Sequence, residues 1–215
     1  MALVQWVVDL RKPSVPVLTS LFRSITLVSG HGRLMDPPNR SSLWRIDPLM
    51  LPNHHDDQLW CGGYNHGKNG GKCGVCGDDY NTPHPQPNEN TGIYGNGKIM
   101  STYTKGTVVE VVSHITANHL GDIQYHLCKI NDSSKPEPGE DCFELLKFQD
   151  GSVDQKINEW DYVVHSQLQL PKDVTCEHCV LRWTYNTGNF WGSCDSSGNC
   201  GQRVTFRSCS DISIV

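Results

Sequence analysis

The residues able to do chemistry in this 215-residue chain are its ten histidines and ten cysteines. No GxSxG elbow, phosphate-binding loop, HExxH helix or dinucleotide fingerprint accompanies them, so the usual hydrolase and nucleotide chemistries lack their signatures. Attention falls on His31. It follows an apolar stretch (Val15, Val17, Leu18, Leu21, Phe22, Ile25, Leu27, Val28) that closes on the small pair Ser29-Gly30. Arg23 interrupts it and Asp9, Arg11 and Lys12 lengthen the front, which leaves a misassigned start or a structured arm as other readings; the favoured one is a leader, residues 1–30, removed after Gly30. A chain beginning at His31 offers two nitrogen donors from one residue, its α-amine and one imidazole nitrogen, in a chelate ring that an internal histidine cannot form. One further imidazole completes a three-nitrogen set. That set suits copper by donor type and affinity order, and leaves positions open to dioxygen or peroxide.

The cysteines set the compartment. Cys61, Cys73, Cys76, Cys128, Cys142, Cys176, Cys179, Cys194, Cys200 and Cys209 are even in number and fit up to five bridges in an oxidised, extracellular protein; sequence alone cannot pair them. Zinc is the rival reading, because Cys73-Gly-Val-Cys76 and Cys176-Glu-His-Cys179 are both CxxC pairs, but it would leave six cysteines over. A formal net charge of -5 lacks the basic footprint of nucleic-acid binding, so no such partner is expected. With 37% hydrophobic residues the chain can fill one core, yet after residue 30 polar residues break every apolar run too soon for a membrane span. Asn39-Arg-Ser41 and Asn131-Asp-Ser133 are acceptor triplets for N-glycosylation.

The elements that must position these groups fall into two textures. Residues 32–97 are rich in Gly, Pro, Asn and His and predict turns rather than long regular elements, with a short helix around Ser41–Trp44. Residues 107–115, 123–128, 161–170, 179–185 and 203–209 read as strands, several alternating with period two. Leu168, Leu170, Val180 and Trp183 are expected to face a core, and Gln167, Gln169, Arg182 and Thr184 to face water. The fold class is all-β: an antiparallel β-sandwich with long loops pinned by disulfides. His119 follows a predicted strand, where a loop can present a ligand. His54, His55, His66 and His84 sit in polar loops, His126 reads as a cross-strand or surface residue, and His165 and His178 have no partner visible in the sequence.

His31-Gly-Arg-Leu-Met-Asp-Pro-Pro-Asn-Arg40, Trp60-Cys-Gly-Gly63, Gly71-Lys-Cys-Gly-Val-Cys-Gly-Asp78, Ile115-Thr-Ala-Asn-His-Leu-Gly121 and Cys179-Val-Leu-Arg-Trp183 together resemble the lytic polysaccharide monooxygenases of auxiliary activity family 15, from His31 to the C-terminus. The resemblance implies an immunoglobulin- or fibronectin-like sandwich over residues 31–215 and one mononuclear copper ion. His31 and His119 would be its ligands. Ala117 would be the small residue beside the metal, and Phe206 would fill the position where relatives carry an axial Tyr or Phe. It further implies a secreted, monomeric enzyme that takes electrons from an external reductant, uses O2 or H2O2, and oxidatively cleaves insoluble polysaccharide at C1 or C4, chitin first and cellulose second. Cys209-Ser-Asp211 departs mildly from the family's Cys-Ala-Asp. Trp60 and Tyr64, in the loop-rich half, are candidates for the polymer-contacting surface. Read without the resemblance, Ala117 and Phe206 could equally be ordinary packing residues. The chain could then be a non-catalytic carbohydrate-binding protein or a disulfide-rich structural one.

Overall fold

The computed structural model describes residues 30–190 and 201–215, apart from the side chains of Tyr64 and Asn65. The strands are β1 (His31–Asp36), β2 (Ser101–Tyr103), β3 (Val108–Ala117), β4 (Asp122–Lys129), β5 (Glu144–Leu145), β6 (Lys147–Phe148), β7 (Gln155–Lys156), β8 (Val163–Gln169), β9 (Cys176–Phe190) and β10 (Arg203–Ile214). One sheet runs β1-β3-β8-β6; the other runs β2-β10-β9-β4-β5, with β7 also on β4. Pairing is antiparallel except between β10 and β2. Period-two alternation puts Leu34, Ile115, Ile123, Tyr125, Leu168, Trp183, Tyr185 and Phe206 in the core between the sheets. Among the described residues no helix is long and apolar enough to cross a membrane.

All five expected strands form, and the expected helix is a 3-10 turn at Arg40–Arg45. β1 escapes the sequence pattern. Gly32 has no side chain to carry a period, so Leu34 alone signals the buried face.

The alternation expected on β9 needs correction. Leu168, Leu170, Val180 and Trp183 are buried as expected, but so are Arg182 and Thr184, and Val180 shares their face rather than that of Trp183. The outer face of the larger sheet is covered. Val75, Cys76, Ile130 and Phe143 pack on Val180, Cys128 and Cys209 as a second apolar layer. Arg182 lies 4.0 Å from the Phe143 ring centroid and donates to Glu140 at 2.9 Å. Burial, and then the charge of nearby Arg207, bring the Arg182 pKa down to about 10.

Among the described residues four disulfides form, Cys61–Cys73, Cys76–Cys209, Cys128–Cys142 and Cys176–Cys179, and of these Cys76–Cys209 and Cys128–Cys142 lie in this cover. Cys73 and Cys76 therefore bond to different partners and Cys176 bonds to Cys179, which removes the thiolates that a zinc site would need. Cys194 and Cys200 lie outside the described residues. The Cys76–Cys209 bridge closes a separation of 133 residues, where the entropic benefit to stability is largest.

Beside that bridge, Arg40 is buried and forks onto Asp211 on β10, at 2.9 and 2.6 Å. It also donates to Glu137 at 2.6 Å and to the Asn88 carbonyl at 2.8 Å. His178 completes the cluster. It is buried, with Nε2 2.7 Å from Asp211 and Nδ1 3.0 Å from the Ser133 hydroxyl, so tertiary structure supplies the partner that sequence did not reveal. Against burial, which pushes the Asp211 carboxyl up, Arg40 holds it down to about 2. Removing one partner strands a buried charge: Arg40→Met should cost about 3–5 kcal/mol in urea unfolding. Because the folded pKa is depressed, the Asp211 contribution is complete above the unfolded value near 4 and is lost as pH falls toward about 2. Asp211→Asn should flatten the acid limb of a stability–pH profile in that window.

The two glycosylation triplets also separate. Asn39 is fully buried and its amide donates to the Leu34 carbonyl at 2.8 Å and to Ser42 Oγ at 2.7 Å, whereas Asn131 is exposed. Material from a eukaryotic secretory host should carry glycan at Asn131 and none at Asn39, read by glycopeptide mass spectrometry, and Asn131→Gln should remove it.

Candidate functional site

β1 pairs with β3 in a register that sets His31 opposite Ala117. The peptide unit preceding His31 runs beside His119: a Cβ built on Gly30 would lie 2.9 Å from Thr187 Cγ2, 3.1 Å from His119 Cδ2 and 3.3 Å from Phe206 Cε2. The His31 and Phe206 ring centroids are 6.2 Å apart. His31, Ala117, His119 and Phe206 thus meet at one end of the sandwich. The first three are half-buried and Phe206 is fully buried, which makes a surface site on an apolar floor.

That floor is aromatic. Phe206 stacks on Tyr185 (6.1 Å between centroids) and on Trp60 (6.5 Å), and Tyr185 packs on Trp183 (5.9 Å). Trp60 is half-buried with one face committed to Phe206; the Tyr64 side chain lies outside the described residues. Phenylalanine has no donor atom, so Phe206 excludes water from beneath the histidines without being able to ligate a metal.

His119 sits in the irregular turn between β3 and β4, and long-range bonds hold it there. Its backbone N–H donates to the Tyr185 hydroxyl at 3.1 Å, which donates onward to the Leu120 carbonyl at 2.8 Å. The Gly188 N–H donates to the His119 carbonyl at 2.8 Å. Leu120 (φ +55°) and Gly121 (φ +100°) turn the chain through left-handed backbone, and a Cβ at Gly121 would collide with the Asn186 carbonyl. Burial raises the Tyr185 phenol pKa, so the hydroxyl stays protonated and able to donate. Asn118 braces the other side. Its side-chain Oδ1 accepts from the Leu120 N–H at 2.8 Å, and its side-chain Nδ2 donates to the Asn158 and Asp161 carbonyls at 2.8 and 3.1 Å.

The remaining histidines have other surroundings. His66, expected in a polar loop, is buried with Nε2 2.9 Å from the Gly71 carbonyl, and burial lowers its pKa. His84 pairs with Glu89, and His54 packs edge-on against Trp44. His126 faces Arg182 across β4 and β9, and burial, then Arg182, pull its pKa down to about 4. Among the described residues no three His, Cys, Asp or Glu side chains converge as a metal site.

Residues 31–212 match the family described as lytic polysaccharide mono-oxygenase, cellulose-degrading. The chain is 42% identical to a solved AA15 lytic polysaccharide monooxygenase from Thermobia domestica in the Cu(I) state, over 86% of this chain and 98% of that one, with a TM-score of 0.79. The chain belongs to the lytic polysaccharide monooxygenases of auxiliary activity family 15. Solved structures of the cellulose-active CelS2 with copper and of an LPMO10B from Micromonospora aurantiaca also match, at 18% and 17% identity over 85% of this chain and 98% and 99% of theirs, both with a TM-score of 0.45. No curated protein matches significantly. The family is enzymatic and the Thermobia domestica relative is solved in its Cu(I) state, which decides against a purely structural or non-catalytic binding protein.

In this monooxygenase the residues that sequence reasoning left out are the supports, Tyr185, Asn118 and Gly188. Tyr185 lies at the period-two spacing from Trp183, which marks it as buried; nothing local says that its hydroxyl reaches the His119 turn. Tyr185→Phe should cost about 1–2 kcal/mol, since it leaves the His119 N–H and the Leu120 carbonyl without their partner. Chemical denaturation measures the loss, and amide exchange at His119 should rise with it.

Proposed function

We propose that the chain is secreted, loses residues 1–30, and as a monomer binds one copper ion through the His31 amine, the His31 imidazole and the His119 imidazole. On this reading it oxidatively cleaves insoluble polysaccharide, chitin first and cellulose second, at C1 or C4 beside the glycosidic bond. The observation that carries it is the convergence of His31 and His119. Gly30 lies within contact of the His119 ring, so hydrolysis of the Gly30–His31 bond frees an amine facing that ring and vacates the space Gly30 held. The family match beginning at residue 31 supports the same boundary.

The donor set fits. Three nitrogens without thiolate or carboxylate are a copper set, and one built from two side chains and a terminus is compatible with the lack of a three-side-chain cluster among the described residues. When bound there, copper supplies one-electron redox chemistry toward O2 or H2O2, fed by an external reductant. The protein's own part is positional. The β1–β3 register fixes His31, the Tyr185 and Gly188 bonds fix His119, and Ala117 leaves the approach beside them uncrowded. Phe206 keeps the underside dry and offers no competing ligand. A ring polymer too large for a deep pocket would meet this site as a surface, with Trp60 and Tyr64 among its contacts.

Intact mass and terminal peptide sequencing of secreted protein should give His31 as the first residue. The processed protein should bind one equivalent of copper in titration and, with reductant, release oxidised oligosaccharides from chitin. His119→Ala should lower copper affinity at least 100-fold, about 3 kcal/mol, and abolish release. A secreted chain that keeps Gly30, or oxidised products that persist without copper, would overturn the reading.

A further inference from the structure

Trp160 is 76% exposed and Tyr162 49% exposed, on the segment that enters β8. A freely mobile loop could fold such rings away from water; this one is tied down. The Asn158 backbone and side-chain N–H groups donate to the Asp161 carboxylate at 2.7 and 3.0 Å, the Asp161 N–H returns to the Asn158 carbonyl at 3.1 Å, and the Tyr162 N–H donates to the Trp160 carbonyl at 3.1 Å. The Ile115 N–H fastens the end of the segment by donating to the Tyr162 carbonyl at 2.9 Å. Asn118, between Ala117 and His119, clamps the same loop through the Asn158 and Asp161 carbonyls. Leu120, in the same turn, is 51% exposed. The exposed aromatics are therefore carried on a loop that is fixed to the turn holding His119.

We infer that Trp160 and Tyr162 form a preorganised stacking platform for sugar rings, one that holds the polysaccharide chain alongside the His31–His119 centre. This rests on the proposed reading of that centre. The occupant is a β-linked pyranose polymer, because such rings expose flat C–H faces that pack on aromatic side chains while their equatorial hydroxyls bond the polar rim, here Asn158, Glu159 and Asp161. A rigid ring contributes contact area without an ordering cost on binding, and Trp and Tyr are the residues best suited to that use.

The test is depletion of the processed protein from solution by insoluble chitin and by cellulose, with thermal unfolding as the check on folding. Trp160→Ala should weaken binding to the active polymer on the order of tenfold, and Tyr162→Ala severalfold. Trp160→Phe should restore most of it. All three should keep wild-type thermal stability and copper affinity. A Trp160→Ala protein that binds both polymers as tightly as the parent would overturn the platform. So would one whose polymer binding is unchanged while a self-associating parent becomes monomeric in sedimentation, which would make the surface a contact between copies. A parent that binds through Trp160 but releases no oxidised product would overturn the proposed activity and leave the platform standing.

Discussion

A buried guanidinium holds this molecule's irregular half in place. Arg40 reaches Asp211 on β10, Glu137 in the β4–β5 connection and the Asn88 carbonyl in the long excursion before β2, and the Cys76–Cys209 bridge lies against it. Each residue of non-repetitive chain costs about 1–2 kcal/mol of backbone entropy to order, and the segment between β1 and β2 has few ladder hydrogen bonds to set against that cost. Covalent closure and a fully partnered charge cluster offset it instead. Because Arg40 bonds to β10, to the β4–β5 connection and to the excursion before β2 together, one side chain registers the loops against the sandwich.

The site where His31 and His119 meet depends on that registration at one remove. His31 lies at the start of β1, and β1 is a short edge strand whose only deeply buried apolar side chain is Leu34. A slip of one residue against β3 would turn His31 away from Ala117. The 3-10 turn carrying Arg40 follows β1 directly, so anchoring Arg40 also anchors the strand. On the opposite side, His119 has no regular element of its own. It is held by bonds from β9 residues Tyr185 and Gly188 and by a left-handed turn, and the shared Phe206 floor joins the two halves of the site.

The covered outer face of the larger sheet explains several features together. Arg182, Thr184, His126 and Val180 lie where a two-layer sandwich would expose them, yet the cysteine-linked loops and Phe143 lie over them. This second layer is small and partly polar, which is why disulfides and paired charges recur there while the inner core is almost wholly aliphatic and aromatic.

Much of this was legible in the residues. Period-two runs located β3, β4, β8, β9 and most of β10; the cysteine count pointed to an oxidised compartment; and the ordered motifs from His31 to Arg182-Trp183 carried the family. The same motifs name His31, Ala117, His119 and Phe206, which the fold brings together at one end of the sandwich. Tertiary structure alone decided which cysteines pair, that Asn39 is buried, that His178 serves Asp211, that both faces of β9 are covered, and that the loop carrying Trp160 is tied to Asn118. The reason is physical. Alternation records which side chains share a face, and a motif records which residue types recur, but neither measures what distant chain segment packs on that face. Those contacts join positions tens to hundreds of residues apart, and only the closed fold brings them within hydrogen-bonding distance.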